Sequence, residues 1–349
     1  MTDVSSEWPS AGIENLGACP VCRSTDRSII HRDLRDLIFN CAPGSWNLWN
    51  CEECGNAYLD PRPTADTIVL AYGNYFTHCD PVPTATPISR LARVRRALAN
   101  GYRNWRFGAE LVPASSLGIP IILALSSLRN RVDLTMRHLP RLPVGQPRRL
   151  LDVGCGNGQF LEDARRCGWI ADGCDFDPRA ASIARERGFD VRDGGIETWA
   201  EAAGMFDAIT LSHVIEHVHD PMATLGQAWH LLRDGGTIYI DTPNIKAAGH
   251  RRYGRAWRGL EPPRHLVLFT WSSMTGALRA AGFTAIRRIS RPGVYGGIAA
   301  QSAAIRDGKN PAYARGARSW AGRLAMRVHA IVPREQSEFV TLVAAKSRQ

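Results

Sequence analysis

The stretch RRLLDVGCGNGQFLEDARRCG, residues 148–168, predicts a strand, a glycine turn and a helix in direct succession. Leu150, Leu151 and Val153 form the short apolar run that is typical of a buried parallel strand. Glycines follow at 154, 156 and 158, where they permit positive φ angles and close approach of the backbone to a ligand. Apolar side chains at 160, 161 and 164 then share one face of a helix. We therefore expect a strand-to-helix turn that can lie directly against a bound molecule.

The spacing of these glycines does not favour a dinucleotide site. A dinucleotide fingerprint runs G-x-G-x-x-G, whereas the position of its last glycine, residue 159, is Gln. Asp152, at the end of the predicted strand, would also repel a pyrophosphate group. A ligand with a cationic or amine-bearing end suits the turn better, and a tight turn without any ligand is the alternative.

Strands and helices continue to alternate after this unit. WIADGCDFDP (169–178) reads as a second strand ending in Asp175, about twenty residues after the glycine turn, where an acid can accept hydrogen bonds from ribose hydroxyls. A simple helix cap is the alternative role for this acid. A helix over 180–188, a third strand over 189–195 and a fourth over 206–214 follow. This order predicts an α/β fold with a parallel sheet, helices on both faces and ligands at the carboxyl ends of the strands.

Two cysteine pairs near the amino terminus have the spacing of a metal site. CPVC supplies Cys19 and Cys22, and CEEC supplies Cys51 and Cys54. Two C-x-x-C pairs can close a tetrahedral Zn(Cys)4 site, and Gly55 allows the tight turn that follows such a pair. A closed site of four thiolates leaves no open position, so the zinc would be structural. Redox pairs or unligated thiols are the alternatives.

These motifs together resemble a class I S-adenosylmethionine (SAM)-dependent methyltransferase. The resemblance rests on DVGCGNG (152–158), on the acid after the second strand and on FDAITLSHVIEHVHDP (206–221), and it covers about residues 148–291. It implies a Rossmann-like seven-stranded sheet whose antiparallel last strand lies at EFVTLVAAK (338–346). The cysteine pairs, with NAYLDPRP and AYGNYF after them, resemble the zinc-binding, zinc-ribbon-like segment that precedes this domain in bacterial methyltransferases of sugar, lipid and secondary-metabolite pathways.

The resemblance also implies the residues that hold SAM. They are Asp152, Gly154 and Gly156 around the methionine moiety, Asp175 on the ribose, Phe176 beside the adenine, Gly195 and Ile196 near the adenine edge, and Ser212 and His213 at the end of the fourth strand.

HVIEH, residues 213–217, also fits the zinc-hydrolase pattern H-x-x-E-H. That pattern needs both histidines on one face of a continuous helix. Here His213 directly follows a strand, and the Asp-Pro pair at 220–221 begins a new helix, so the required helix is missing. We therefore expect Glu216 and His217 to support the loop by hydrogen bonds. His213 either points toward the methyl-transfer pocket or packs within the loop.

The chemistry of the acceptor decides whether a base is needed. An amine attacks the sulfonium methyl group in its neutral form, whereas an oxygen or carbon nucleophile must lose a proton. His265 in EPPRHLVLFT (261–270) is our leading base, because this segment lines the acceptor side in the resembled family and histidine titrates near neutral pH. Its alternative role is to fix the irregular basic lid over 244–260. His213 is the second candidate catalytic residue. Arg264 pairs either with an acidic acceptor or within the protein.

Positive charge is concentrated in one segment. The chain has a net charge of +10, and residues 88–149, with twelve Arg, no Lys and two acids, account for the same excess. Such a surface attracts phosphate, and a solvated helical face is the plain alternative. Within it, SRLARVRRALANGYRNWRF (89–107) predicts a helix, and 111–128 carries no charge. Two prolines and a glycine interrupt the uncharged stretch, so we expect an interfacial or substrate-side element rather than a transmembrane span, with peripheral membrane contact as the alternative.

These segments predict the organisation of the chain. We expect a zinc-binding module over 1–80, a basic helical linker or insert over 81–147, and the methyltransferase domain over 148–349 with an insert at 292–337. The first residues lack the basic start and apolar run of a signal peptide, which predicts a cytoplasmic protein, with peripheral association at the inner membrane as the alternative.

The function that we expect is SAM-dependent methylation, at O, N or C, of a small-molecule acceptor such as a sugar, a lipid-linked saccharide or another metabolite. The cofactors would be SAM and structural zinc. An RNA methyltransferase is the alternative, with the zinc module and the basic segment binding RNA. The basic segment, however, lacks a regular array of aromatics for base stacking. A non-catalytic SAM-binding protein is a third possibility.

Overall fold

A computed structural model describes residues 7–73, 89–143, 146, 148–291, 294–314 and 333–347. Short strands and a three-helix insert make up the part before residue 148. They are β1 (Ile13–Glu14), β2 (Arg27–Leu34), β3 (Trp46–Cys51), β4 (Ala57–Leu59), β5 (Arg62–Pro63), α1 (Arg90–Phe107), α2 (Gly118–Ala124) and α3 (Ser126–Thr135).

Alternating strands and helices follow. They are β6 (Arg148–Val153), α4 (Gln159–Arg165), β7 (Trp169–Asp175), α5 (Pro178–Glu186), β8 (Val191–Asp193), β9 (Phe206–Ser212), α6 (Pro221–Leu231), β10 (Leu232–Pro243), α7 (Ala248–Tyr253), β11 (Val267–Leu268), α8 (Trp271–Ala280), β12 (Phe283–Arg288), α9 (Tyr295–Arg306) and β13 (Phe339–Lys346). Residues 292–293 and 315–332 of the predicted insert lie outside the described residues.

The larger sheet has seven strands in the order β12-β13-β10-β9-β6-β7-β8. Its strands run parallel except β13, which is antiparallel to both β10 and β12. The predicted α/β sheet with an antiparallel last strand is therefore confirmed. The carboxyl ends of β6, β7, β9 and β10 meet along one edge, because these four strands are parallel neighbours.

Helices cover both faces of this sheet. Leu150 and Ala208 are paired across β6 and β9, and both pack with α1, α4 and α5. The next pair, Leu151 and Ile209, packs instead with α6 and α8. Successive side chains of a strand point to opposite faces, so the uninterrupted apolar run in β6 supplies both cores.

The amino-terminal module shares a sheet with the larger domain. Its strands follow the order β11-β4-β3-β2, and β11 comes from the segment before α8. Val267 pairs with Tyr58 and Leu268 with Ala57, both antiparallel. The backbone N–H of Leu59 also donates to the carbonyl of Leu266 at 3.0 Å. The module therefore packs directly against the segment that contains His265.

The insert is a helical unit with its own buried side. The predicted helix over 89–107 is confirmed as α1, and the hydroxyl of Ser89 caps it by accepting from the N–H of Ala92 at 3.2 Å. The uncharged stretch forms α2 and leads into α3. Among the described residues, no helix is both long enough and apolar enough to cross a bilayer.

A buried guanidinium joins the two parts of the chain. Arg264 has no solvent exposure, and it donates to Asp36 at 2.7 Å, to Glu261 at 3.1 Å and to the carbonyl of Ala71 at 2.7 Å. Its guanidinium also lies 4.6 Å from the ring centroid of Phe39. Burial alone would raise the pKa of Asp36, but the bond and charge of Arg264 lower it below its usual value. Arg264 therefore serves as an internal ion-pair partner, one of its two predicted roles.

We predict that Arg264→Met lowers the free energy of unfolding by about 3–5 kcal/mol, because Asp36 would remain buried without a cation. Urea denaturation followed by circular dichroism measures the loss. The control is Arg166→Met, which removes a half-exposed i,i+4 pair with Glu162 and should cost less than about 1 kcal/mol. Equal losses of unfolding free energy in the two variants would contradict the role of Arg264 as a buried ion-pair partner.

Candidate active site and metal centre

The glycine turn lies at the carboxyl end of β6 and requires its glycines. Gly154, Gly156 and Gly158 have φ angles of 70°, 56° and 80°, in the left-handed region. A Cβ on Gly154 would also lie 2.6 Å from a methyl carbon of Val214. The N–H of Gly154 donates to the carbonyl of Cys174 in β7 at 2.8 Å, which fixes the turn against the neighbouring strand. The backbone thus stays open at the sheet edge where a ligand would lie.

Asp175 links this turn to the end of β7. One carboxylate oxygen accepts from the N–H of Gly156 at 2.7 Å, and the other accepts from the N–H of Asp177 at 2.9 Å. The side chain is largely buried, yet each oxygen keeps a further lone pair. Asp175 is therefore held in one orientation and can still accept hydrogen bonds from a ligand hydroxyl.

An exposed aromatic ring stands beside Asp175. Phe176 is 71% exposed, which is unusual for a large apolar side chain. A Cβ on Gly195 would lie 2.5 Å from Glu197 and 2.9 Å from the tip of the Phe176 ring, so the absence of a side chain at this position leaves room beside the ring. Ile196, the next residue, is buried. The open ring face offers a stacking surface for a planar group.

Asp152 is buried and already paired with a cation. It forms an ion pair with Arg137, and the same oxygen accepts from the hydroxyl of Thr210 at 2.7 Å. Arg137 stacks 3.8 Å from the ring centroid of Phe160. Burial raises the pKa of Asp152 above its usual value. Its second oxygen has no hydrogen-bond partner among the described residues and is the one left for a ligand amine.

His213 stands at the end of β9 between two carboxylates. Its Nδ1 lies 3.3 Å from Glu216, and its Nε2 lies 3.5 Å from Asp241. The residue has a φ of 58°, and its ring packs edge-on against Phe339. Burial alone would lower the pKa of His213, but the bond to Glu216 and the charge of Asp241 raise it above 6.5. The side chain is 42% exposed, so a molecule from solution can reach it.

Glu216 is the centre of a buried polar cluster with His217 and His265. One ligand atom from each residue lies within 4.8 Å of the others. One oxygen of Glu216 contacts His213, and the other has no hydrogen-bond partner among the described residues. Burial would raise the pKa of Glu216, but the surrounding histidines lower it to about 2. An ionised carboxylate at this position can bind a proton donor or, with the two imidazoles, a cation.

Both imidazoles of this cluster are held by backbone carbonyls. Nδ1 of His265 lies 2.8 Å from the carbonyl of Gly259, and Nδ1 of His217 lies 3.0 Å from the carbonyl of Arg264. These contacts assign the N–H to Nδ1 in each ring and leave a lone pair on Nε2. Burial lowers the pKa of His265 to about 4, so this ring is neutral at pH 7.

The loop at 213–217 is not an α-helix, which agrees with the rejection of the zinc-hydrolase pattern. The carbonyl of Glu216 accepts from the N–H groups of Leu266 and Val267 at 2.8 and 3.2 Å. His217 also bonds through its side chain to the carbonyl of Arg264. These contacts agree with the prediction that Glu216 and His217 support the loop by hydrogen bonds. The site that could hold a cation combines this loop with His265, not with His213.

Sequence reasoning missed three charged residues at the sheet edge. Asp241 lies near the end of β10 opposite Ser212, pairs with Arg291 and accepts from the hydroxyl of Thr341 at 2.6 Å. Its position at a strand end could have indicated it. Arg291 and Arg137 belong to no motif, since their partners lie far away in the sequence.

The four predicted cysteines converge. The sulfur atoms of Cys19 and Cys54 are 3.6 Å apart, those of Cys22 and Cys51 are 3.4 Å apart, and all four lie within 4.8 Å of one another. A tetrahedral zinc with bonds of about 2.3 Å would separate its sulfurs by about 3.8 Å. The hydrogen bond between Cys19 and Cys54 lowers the pKa of Cys19 and raises the pKa of Cys54, so these two thiols share a proton that a metal would displace. The donor set and its spacing therefore fit a closed zinc site.

We predict about one zinc per chain in the purified protein, because two C-x-x-C pairs supply four ligands to one ion. Elemental analysis by mass spectrometry measures it. Cys51→Ser should lose the zinc, whereas Cys167→Ser, at a buried cysteine outside the cluster, should retain it. Zinc that persists in Cys51→Ser, or is absent from the unaltered chain, would rule out this site.

Residues 128–287 match a protein-family model described as "Methyltransferase domain". Among curated proteins, the chain is 37% identical over 103 residues to "Ubiquinone biosynthesis O-methyltransferase" of Xanthomonas oryzae pv. oryzae, which covers 28% of this chain and 43% of that protein. The protein of the same name from Xylella fastidiosa is 38% identical over 103 residues, 28% of this chain and 42% of its own. The chain thus spans less than half the length of these curated relatives.

Solved structures resemble the chain only distantly. A SAM-dependent methyltransferase from Thermotoga maritima, described as a possible histamine N-methyltransferase, is 18% identical with a TM-score of 0.40 and covers 65% of this chain and 92% of its own. A SAM-dependent methyltransferase from Archaeoglobus fulgidus is 17% identical with a TM-score of 0.42, covering 64% and 94%.

Proposed function

We propose, from the premise that residues 128–287 form a methyltransferase domain, that this chain transfers the methyl group of SAM to a small-molecule acceptor. The observation that carries the proposal is the arrangement at the carboxyl edge of the sheet. There a glycine turn, an acid held in one orientation and a carboxylate-paired histidine lie at the ends of three neighbouring strands, β6, β7 and β9.

The cofactor would lie across the glycine turn. In this proposal Asp175 accepts the ribose hydroxyls, and the open ring of Phe176 stacks on the adenine above Gly195. Ile196 would lie at the adenine edge. SAM would supply an electrophilic methyl group at this edge of the sheet.

The methionine side of the cofactor would then be held by the turn itself and by the strand ends beside it. Gly154 and Gly156 allow the backbone to approach the ligand. Asp152 is buried and paired with Arg137, so in this proposal its second oxygen accepts from the ligand amine only after that ion pair opens. Ser212 and His213, at the end of β9, lie where the reactive methyl group would face the acceptor. The four-cysteine zinc, distant from this chemistry in sequence, would have a structural role.

His213 and His265 are the two proposed catalytic residues. His265 was the leading base from sequence, and its neutral Nε2 can accept a hydrogen bond from the acceptor. Its pKa of about 4, lowered by burial, makes it a poor store for a proton. The carboxylates around His213 raise its pKa, so in this proposal His213 takes the hydroxyl proton directly as the new O–CH3 bond forms and the S–CH3 bond breaks, and its exposed side then releases the proton to solvent.

The acceptor that we favour carries a hydroxyl group on a sugar, a lipid-linked saccharide or another metabolite. The relatives named as O-methyltransferases support oxygen as the methylated atom. A histidine base serves the same chemistry, since a hydroxyl must lose its proton during attack. The protein would act in the cytoplasm, where SAM is available. The second candidate, RNA methylation, is supported by the basic segment at 88–149.

We predict that Gly154→Ala weakens SAM binding at least about tenfold, because the added methyl group would collide with Val214 and strain the turn. Isothermal titration with SAM measures the affinity. Gly226→Ala adds a methyl group where nothing lies within 4 Å and should leave the affinity unchanged. Indistinguishable affinities for the two variants would exclude this turn as the cofactor site.

A second prediction concerns the two histidines. His265→Gln should retain SAM affinity, and both His213→Gln and His265→Gln should lower the turnover about a hundredfold or more, the usual contribution of a general base. Release of S-adenosylhomocysteine is measured with nucleotide sugars, lipid-linked saccharides, phenols and total RNA as acceptors. A response to RNA alone would support the second candidate function instead.

The pH dependence separates the two histidines. A base acts in its neutral form, and the pKa of His213 is raised above 6.5. The rate of the unaltered enzyme should therefore increase with pH through a midpoint above 6.5, and His213→Gln should lack this step. The same step retained in His213→Gln would assign the proton to another group.

A further inference from the structure

The uncharged stretch of the insert lies mostly on the protein surface. Over 111–128 the chain has no charged residue, and only Gly118 and Ile122 are buried there. Leu91 and Val94 on α1 are exposed as well. The apolar face, as we call this set, consists of Leu91 (60% exposed), Val94 (55%), Val112 (80%), Leu117 (66%), Ile121 (41%), Leu123 (39%), Leu125 (53%) and Leu128 (37%). Eight exposed apolar side chains in one short helical unit indicate an interaction surface.

This face belongs to an ordered helical unit. A Cβ on Gly118 would lie 1.9 Å from the carbonyl oxygen of Leu98, and a Cβ on Gly101 would lie 1.8 Å from that of Ser115. The backbones of α1 and of the segment that begins α2 are therefore in direct contact. On the inner side, the hydroxyl of Tyr102 donates to Asp133 at 2.9 Å. The apolar side chains are thus presented outward by a unit whose other side is packed.

Positive charge accompanies the apolar face. Arg90, Arg93, Arg95 and Arg96 are exposed on the first turns of α1, between and beside Leu91 and Val94. No acidic residue occurs in α1, and these four arginines form no ion pair with the residues that the structure describes. A helix that lies in an anionic membrane interface has this pattern. Its apolar side chains enter the acyl boundary, and its arginines reach the headgroups.

We propose that this insert docks the protein on the surface of an anionic phospholipid bilayer. Pro113 and Pro120 interrupt the uncharged stretch, so the unit lies in the interface instead of crossing it. RNA would engage the arginines but would gain nothing from eight exposed aliphatic side chains. A second copy of the chain would bring two arginine clusters together and repel. The inference does not depend on the methyl-transfer proposal, because it uses no residue of that site.

Vesicle binding tests this inference with the full chain. The probes are phosphatidylcholine vesicles with and without about one third phosphatidylglycerol, at about 0.15 M salt. Co-sedimentation should show at least about tenfold tighter binding to the anionic vesicles. The apolar variant is Leu117→Ser/Ile121→Ser/Leu125→Ser, and the charge variant is Arg93→Gln/Arg95→Gln/Arg96→Gln. Each should weaken that binding at least about fivefold.

Matched control variants have the same chemistry outside the insert. Val69→Ser replaces an apolar side chain that is 65% exposed, and Arg165→Gln/Arg166→Gln removes two exposed charges of α4. Both should bind anionic vesicles like the unaltered chain. Circular dichroism and SAM titration of every variant report whether it is folded.

Three results would overturn the proposal. The first is no binding to anionic vesicles by the unaltered chain. The second is vesicle binding that both insert variants retain. The third is a different partner for a chain that does not sediment with vesicles. That partner would be a second copy if the chain forms a concentration-dependent dimer that the apolar variant abolishes. It would be RNA if the chain binds RNA and the charge variant abolishes this binding.

Discussion

The ion pair between Arg264 and Asp36 is the constraint on which the position of the segment around His265 depends. A buried guanidinium is tolerated only where carboxylates and carbonyls surround it, and here they come from the amino-terminal module and from the turn at Glu261. His265, the residue after Arg264, is held by the same turn, since its backbone N–H donates to the carbonyl of Glu261 at 3.1 Å. The module and the histidine are therefore positioned together.

This dependence gives the four-cysteine site a physical purpose. Cys51 ends β3 and Cys54 lies in the turn that leads to β4, the strand that pairs with β11 just after His265. A zinc ion bound there would hold β3, β4 and the first cysteine pair in one arrangement. The metal would thus act on the acceptor side through the shared sheet, without contact with the reacting atoms.

Local patterns predicted the parts of the fold that local physics determines. The apolar run at 150–153, the three glycines and the spacing of the cysteines each depend on neighbours within a few residues, and the structure agrees with them. The sequence did not reveal that Asp152 is paired with Arg137, or that β11 joins the amino-terminal sheet. Nothing in the sequence of these segments indicates that they come into contact in the folded chain.

Helix α1 shows the same limit differently. The helix predicted over 89–107 is present as α1, but helical periodicity identifies an apolar side and does not indicate what packs against that side. Tyr102 is buried, while Leu91 and Val94, which share its helical spacing, are open to solvent. The HVIEH loop is a converse case, because rejecting a helical zinc site was correct although Glu216 and His217 still belong to a compact polar cluster with His265. That cluster could be recognised only once distant segments were brought together.

The account as a whole rests on SAM lying across the glycine turn with its sulfur toward His213. A crystal structure of the chain with S-adenosylhomocysteine tests this most directly. We predict adenine against Phe176, ribose hydroxyls on Asp175 and the sulfur atom facing His213. A ligand bound elsewhere, or a turn that stays empty at saturating concentration, would contradict it.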